Sequence, residues 1–260
     1  MVAEATEATG GPDLQLLGWW RLWWCGRNIE LGGREQRLVA FLGLRGTRPR
    51  LHVAATLWPD TSEDKALASL RAAVLRTHRR APGLLEATRT MIGLHPDVHV
   101  DIADLVPSLG EGAVVGEPPT TGRNSILDCE ELLPGWYDEW VLFAREQFEQ
   151  RRLRALETMA SRALAEGDCI AALEAARAAS RIEPLLETAR TITIQARLRL
   201  GDPAGALLEF HSYRQHLLEE LGVAPSPRFS ALLSPVVQHR SVVEPLDPGG
   251  VGAQSRTPNP

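Results

Sequence analysis

Lys65, Ser69, Ala72, Arg76, Arg79 and Arg80 recur at helical spacing along residues 57–80, LWPDTSEDKALASLRAAVLRTHRR. A face of basic residues separated by small ones can do two kinds of chemistry. It can pair charge with phosphate, and it can hydrogen-bond base edges bidentately. The small Ser69 and Ala72 would let the backbone come close to a groove. A solvated charged face explains the same pattern, so the elements around it have to decide. Asp60, Thr61 and Ser62 are good N-cap types, and Glu63 and Asp64 put negative charge at the positive end of the helix dipole. No Gly or Pro interrupts before Pro82. On this reading Leu67, Leu70, Val74 and His78 form the packing face.

Other chemistries find no support. The seven histidines include the pairs His95/His99 and His211/His216, but neither pair has partners at metal-ligand spacing. There is no GxSxG and no Gly-rich phosphate loop, and GxxxxGK[ST] is absent. No enzyme activity, cofactor or metal is expected. Cys25, Cys129 and Cys169 are odd in number and far apart without a CxxC, which argues against a disulfide framework or a zinc site and for buried free thiols. No run of about eighteen apolar residues exists to span a membrane. The start, MVAEATEATGGPD, lacks the features of a secretory signal, so a cytoplasmic location with no membrane partner is expected.

The 260 residues leave room for two domains, and the net charge of −5 is unevenly spread. Up to His95 the chain is net positive and beyond it net negative, which suggests different partners for different domains. Lys65 is the only lysine, so the richness in Arg carries less weight than its segregation.

Residues 1–12 read as a disordered tail and residues 13–105 as the first domain. LQLLGWWRLWW (residues 14–24), with residues 28–31 after a Cys25-Gly26-Arg27 turn, reads as a β-hairpin whose tryptophans serve core and sheet stacking. Residues 34–44 and 51–58 follow as helices around a Gly46 to Arg50 turn, and residues 57–80 hold the third. Short strands at 84–87 and 91–94 flank a tight Thr88-Arg89-Thr90 tip, and 98–102 forms a further strand. Sheet, three helices, hairpin is the order of an α+β winged helix-turn-helix with an extra N-terminal β-sheet.

Residues 106–124 read as a linker or loop. Residues 125–235 read as an all-α, tetratricopeptide-like domain, and residues 236–260 as a disordered tail. Gly167-Asp168 and Gly201-Asp202 stand 34 residues apart, the tetratricopeptide period, and Ala172-Leu173 aligns with Ala206-Leu207. Each Gly-Asp would close one helix and open the next. The small alanines would let the pair approach, and Pro184 falls where such a repeat ends.

LQLLGWWRLWWCGRNIELGGREQRLVAFL, LWPDTSEDKALASLR, LLPGWYDEWV and HLLEELGVAPSPR, in that order, resemble the SARP-type transcriptional activators of antibiotic-producing actinobacteria. In that family an OmpR-type winged helix, the DNA-binding domain of phosphorelay regulators, is joined to a bacterial transcriptional activator domain. The likeness spans residues 14–236. It implies a sequence-specific activator that binds double-stranded promoter DNA and helps recruit RNA polymerase holoenzyme, for a secondary-metabolite cluster such as antibiotic biosynthesis. A second copy would bind alongside on the DNA. Residues 57–80 become the loop before the recognition helix and the helix itself. Lys65, Ser69, Ala72, Arg76, Arg79 and Arg80 would face DNA, and Arg89 would reach a minor groove or the backbone. Trp58, Asp60, Glu63 and Asp64 would meet polymerase, although a helix cap explains these acids equally well. The competing expectation is a tetratricopeptide-like adaptor without specific DNA binding.

Overall fold

The computed structural model describes residues 11–109 and 126–233. The N-terminal sheet is built from β1 (Asp13–Gln15), β2 (Arg21–Trp24) and β3 (Arg27–Asn28), with β7 (His99–Val100) added parallel to β1, in the order β3-β2-β1-β7. Each strand is shorter than the sequence suggested, and the aromatic run is two strands with a bend between them. Cys25 and Gly26 both have positive φ, 47° and 70°, as a two-residue hairpin turn requires. That turn leaves Cys25 exposed, a correction to the expected buried thiol, while Cys129 and Cys169 are buried. The tryptophans also divide. Trp20 and Trp24 pack on the core, whereas Trp19 is 70% exposed and Trp23 lies on the outer sheet face.

Helices α1 (Gly33–Arg45), α2 (Arg50–Leu57) and α3 (Glu63–Arg80) follow. The expected turn between α1 and α2 contains a strand, β4 (Arg48–Pro49), which joins β5 (Leu85–Ala87) and β6 (Met91–Leu94) in a second sheet, β4-β6-β5. A side chain at Gly93 would collide with Thr47, so the glycine lets the wing lie close against the start of β4. The strand expected at 98–102 is cut to β7 and continues as a 3-10 helical stretch, Asp101–Leu109. Asp101 explains the change. Its buried carboxylate accepts the backbone N–H of Leu16 at 3.0 Å and of Leu17 at 2.9 Å, replacing ladder bonds where β1 ends. Burial pushes its pKa up, opposed by those two N–H groups.

The first core is not closed by residues 13–105 alone. Leu132, Leu133, Trp140, Val141 and Phe148 complete it beside Leu14, Leu22, Phe41 and Leu70. Leu17 and Leu132 form an antiparallel bridge, with Gly18 N–H to Glu131 O and Leu133 N–H to Leu16 O both at 2.8 Å. Arg145 of α4 (Glu139–Glu166) donates to the carbonyls of Leu132, Leu133 and Trp136, fixing that segment. Arg37 of α1 pairs with Asp138, and the rings of Phe41 and Trp140 meet edge to face at 5.4 Å.

Beyond Phe148 the chain is a stack of helical hairpins: α4, α5 (Cys169–Ile182), α6 (Glu187–Arg199) and α7 (Pro203–Leu221), then the short α8 (Pro227–Ser230). The 34-residue register is visible at atomic level. Gly167 and Gly201 both adopt positive φ, and Asp168 and Asp202 cap the next helices by accepting the N–H of Ala171 and Gly205 at 3.0 and 2.8 Å. Ala172 and Ala206 are fully buried where paired helices approach. The fold is therefore a winged helix followed by an all-helical, tetratricopeptide-like domain. Of the linker expected at 106–124, residues 106–109 belong instead to the 3-10 stretch, and the remainder, with most of the two expected tails, lies outside the described residues.

Candidate nucleic-acid interface

The face that α3 turns outward follows from what it buries. Ala66, Leu70, Ala73 and Thr77 are the buried residues, with Leu67 and Val74 partly covered. His78, expected on the packing face, is exposed. Two of these four are small alanines, which let α3 lie close to its neighbours, and a stripe judged by large apolar residues misses them. At 3.6 residues per turn the helix is rotated by roughly 75° from the sequence reading. Its most outward line passes through Ala68, Arg71, Leu75 and Arg79. Arg71 was missed by the sequence reading, and the buried Ala66/Ala73 pair was the signal that could have found it.

The expected residues distribute around that line. Lys65 and Arg79 are exposed, and Ser69 and Ala72 are half-buried on the shoulder toward α1. On the same shoulder Arg76 donates its Nε to Glu35 Oε1 at 2.6 Å. Glu35 is buried, so this guanidinium offsets a carboxylate that would otherwise be stranded, while its Nη groups point away from that bond. Arg76, Arg79 and Arg80 come together around the N-terminus of α1, lining with Glu30, Leu31, Gly32 and Glu35 a cleft of about 470 Å³. Lys65 does not join them; it stands at the other end of α3, about 22 Å away at 1.5 Å per residue.

Arg89 is exposed at the tip of the β5–β6 wing. The tip is held by Thr88, whose Oγ1 accepts the N–H of Met91 at 3.0 Å. It is also tied to α2. Arg50, the first residue of that helix, donates its N–H to Thr90 O at 2.8 Å and its Nη1 to Thr88 O at 3.2 Å. Arg50 and Arg89 thus stand together at the wing, while Arg71 and Arg79 are exposed along α3.

The residues before α3 form a tight turn in which Trp58 O accepts from the Thr61 hydroxyl at 3.0 Å. Trp58 is half-buried and packs on the core, whereas Asp60, Glu63 and Asp64 are exposed. Ser62 holds the N-cap position without a side-chain cap bond, so the acids act on the helix through its dipole. Among the described residues no cluster of His, Cys, Asp and Glu could hold a metal, and no helix is long and apolar enough to cross a membrane.

The fold is a winged helix joined to a helical-repeat domain. Residues 129–236 match the family described as the bacterial transcriptional activator domain. The chain is 27% identical over 245 residues to the regulatory protein AfsR of Streptomyces coelicolor, a match covering 89% of this chain and 25% of that protein. Its fold is similar to that of Mycobacterium tuberculosis EmbR, solved in complex with a low-affinity phosphopeptide, with a TM-score of 0.60 at 20% identity over 91% of this chain and 66% of that one. The chain thus spans only a quarter of the length of the curated relative. These findings bear out the resemblance. The chain resembles SARP-type regulators, and its C-terminal half carries the match to the bacterial transcriptional activator domain. The curated relative is named as a regulatory protein.

Proposed function

We propose that this protein is a sequence-specific, DNA-binding transcriptional activator in the cytoplasm. It lays α3 in the major groove of promoter DNA, sets its wing on the flanking backbone or minor groove, and helps recruit RNA polymerase to a secondary-metabolite gene cluster. The observation that carries this reading is the set of Arg71, Arg79 and Arg89, exposed on α3 and the wing tip, with Arg50 at the start of α2 bonded to that tip. Arg71 and Lys65 are assigned to base edges or adjacent phosphates. Arg76, Arg79 and Arg80, beside the N-terminus of α1, are assigned to one phosphate run, where free backbone N–H groups add to the positive field. Ser69 and Ala72 allow the close approach, and Arg89 serves the wing contact. Trp58, Asp60, Glu63 and Asp64 form the surface offered to polymerase, and a second copy binds alongside on DNA.

The test is fluorescence anisotropy on fragments selected from genomic DNA by the purified protein, repeated across salt concentrations. Arg80→Ala is expected to weaken binding uniformly across sequences and to reduce the salt slope by about 1. Arg71→Ala is expected to cost about 1–3 kcal/mol on the preferred site and to relax its sequence preference. Arg76→Ala is a poor probe because it also strands Glu35. If no fragment is preferred even at low salt, the adaptor reading replaces this one.

A further inference from the structure

A second cleft, of about 330 Å³, opens on the seam between the winged helix and α4. Its apolar walls include Leu44, Leu109 and Phe148, and its rim carries Arg45, Arg48 and Arg151 without any Asp or Glu among the lining residues. Elsewhere along α4 to α7, less exposed arginines have carboxylate partners: Arg145 with Glu131, Arg190 with Glu209, Arg197 with Asp202. The three rim arginines form no ion pair among the described residues. Arg45 is held with its guanidinium carbon 5.6 Å from the centre of the Phe143 ring, which lines the neighbouring cleft, and Arg48 donates its Nη1 to Thr47 O at 2.9 Å; neither contact neutralises the charge.

Three cations at the edge of apolar walls match one ligand chemistry, an apolar body ending in an anion. The volume lies at the lower end of the range of small-molecule sites, about 300–1,000 Å³. The seam also lies at the far end of α1 from the Arg76 cleft, roughly 20 Å away at helical rise, so the inference does not rest on the DNA-binding reading. We propose that this cleft between the winged helix and α4 binds a small amphipathic anion, a carboxylate or sulfonate on an apolar body, held by Arg45, Arg48 and Arg151.

Isothermal titration of the full chain with decanoate tests the proposal, with acetate as the anion lacking the body and decan-1-ol as the body lacking the charge. One saturable decanoate site is expected, with acetate and decan-1-ol each at least about tenfold weaker, the two parts of the ligand contributing separately. Arg45→Gln and Arg151→Gln should each weaken decanoate at least about fivefold. Saturating decanoate should also raise the melting temperature, since it binds only the folded seam. Arg151 is exposed and makes no bond in the structure, so its variant keeps the fold and provides the decisive arm. Absence of a saturable site, equal affinity for decan-1-ol, or unchanged affinity in Arg151→Gln would overturn the assignment.

Discussion

Single side chains in this protein carry positional duties that their residue type does not announce. Arg76 holds a buried carboxylate as well as standing at the basic cleft, and Asp101 substitutes for two ladder bonds. Asp101→Asn is expected to lose one of those bonds and to set an amide N–H₂ against a backbone N–H, lowering stability by about 1–3 kcal/mol. Denaturant unfolding reads this directly, and an unshifted midpoint would refute it. His99 bridges Asp13 and Asp104 at 3.0 and 2.9 Å, clasping β7 to β1 and to the 3-10 stretch. Its hydrogen bonds to Asp104 and then Asp13 raise its pKa above the ordinary 6.5. Its contribution is therefore complete below the unfolded value and is lost as pH rises through the raised native one. Because His99 is half-exposed, the effect is modest. The melting-temperature gap between the protein and His99→Gln should be widest near pH 6 and closed by about pH 9. A gap independent of pH would remove the clasp from the account.

Element-scale behaviour is set by how helices begin and end. In the helical domain, αL glycine followed by capping aspartate recurs at Gly167-Asp168 and Gly201-Asp202, satisfying N–H groups that open α5 and α7. Asp202→Ala should lower stability, as loss of an N-cap does. The Gly205 N–H and then the Arg197 side chain lower the Asp202 pKa. Its contribution is present above the unfolded carboxylate pKa and lost as pH falls through the lowered native one, so wild type and Asp202→Ala should converge in acid. Equal stability at neutral pH would show that the cap is idle. In α3 the same sequence logic failed in phase. Spacing alone established a helix with a basic side, but the buried side was set by the small Ala66 and Ala73, and the outward line moved onto Arg71.

At the scale of the whole molecule, the two domains share a core. Leu132, Leu133, Trp140, Val141 and Phe148, from the segment that leads into and forms α4, fill the core of the winged helix. At about 1.5–3 kcal/mol per buried large side chain, their loss would remove roughly 7–15 kcal/mol, as much as a domain's entire net stability. A fragment of residues 11–109 should therefore lack a cooperative melt and fixed near-UV dichroism, while 11–150 should keep both. A cooperative transition in the shorter fragment would show that the winged helix stands alone. The shared core also makes α4 a rigid extension of the basic domain, so its seam clefts are built by both parts.

The order of sheet, three helices, wing and helical hairpins was legible in the residues because periodicity, Gly and Pro punctuation and capping residues are local signals. The absence of a nucleotide loop was legible for the same reason, as was the 34-residue repeat. The rotation of α3, the pairing of Arg76 with Glu35 and the parallel addition of β7 to β1 were not. Nor was the docking of residues 126–148 onto the first core. Each depends on which surfaces meet across tens of residues, and that is decided by side-chain volume and charge in three dimensions rather than by spacing along the chain.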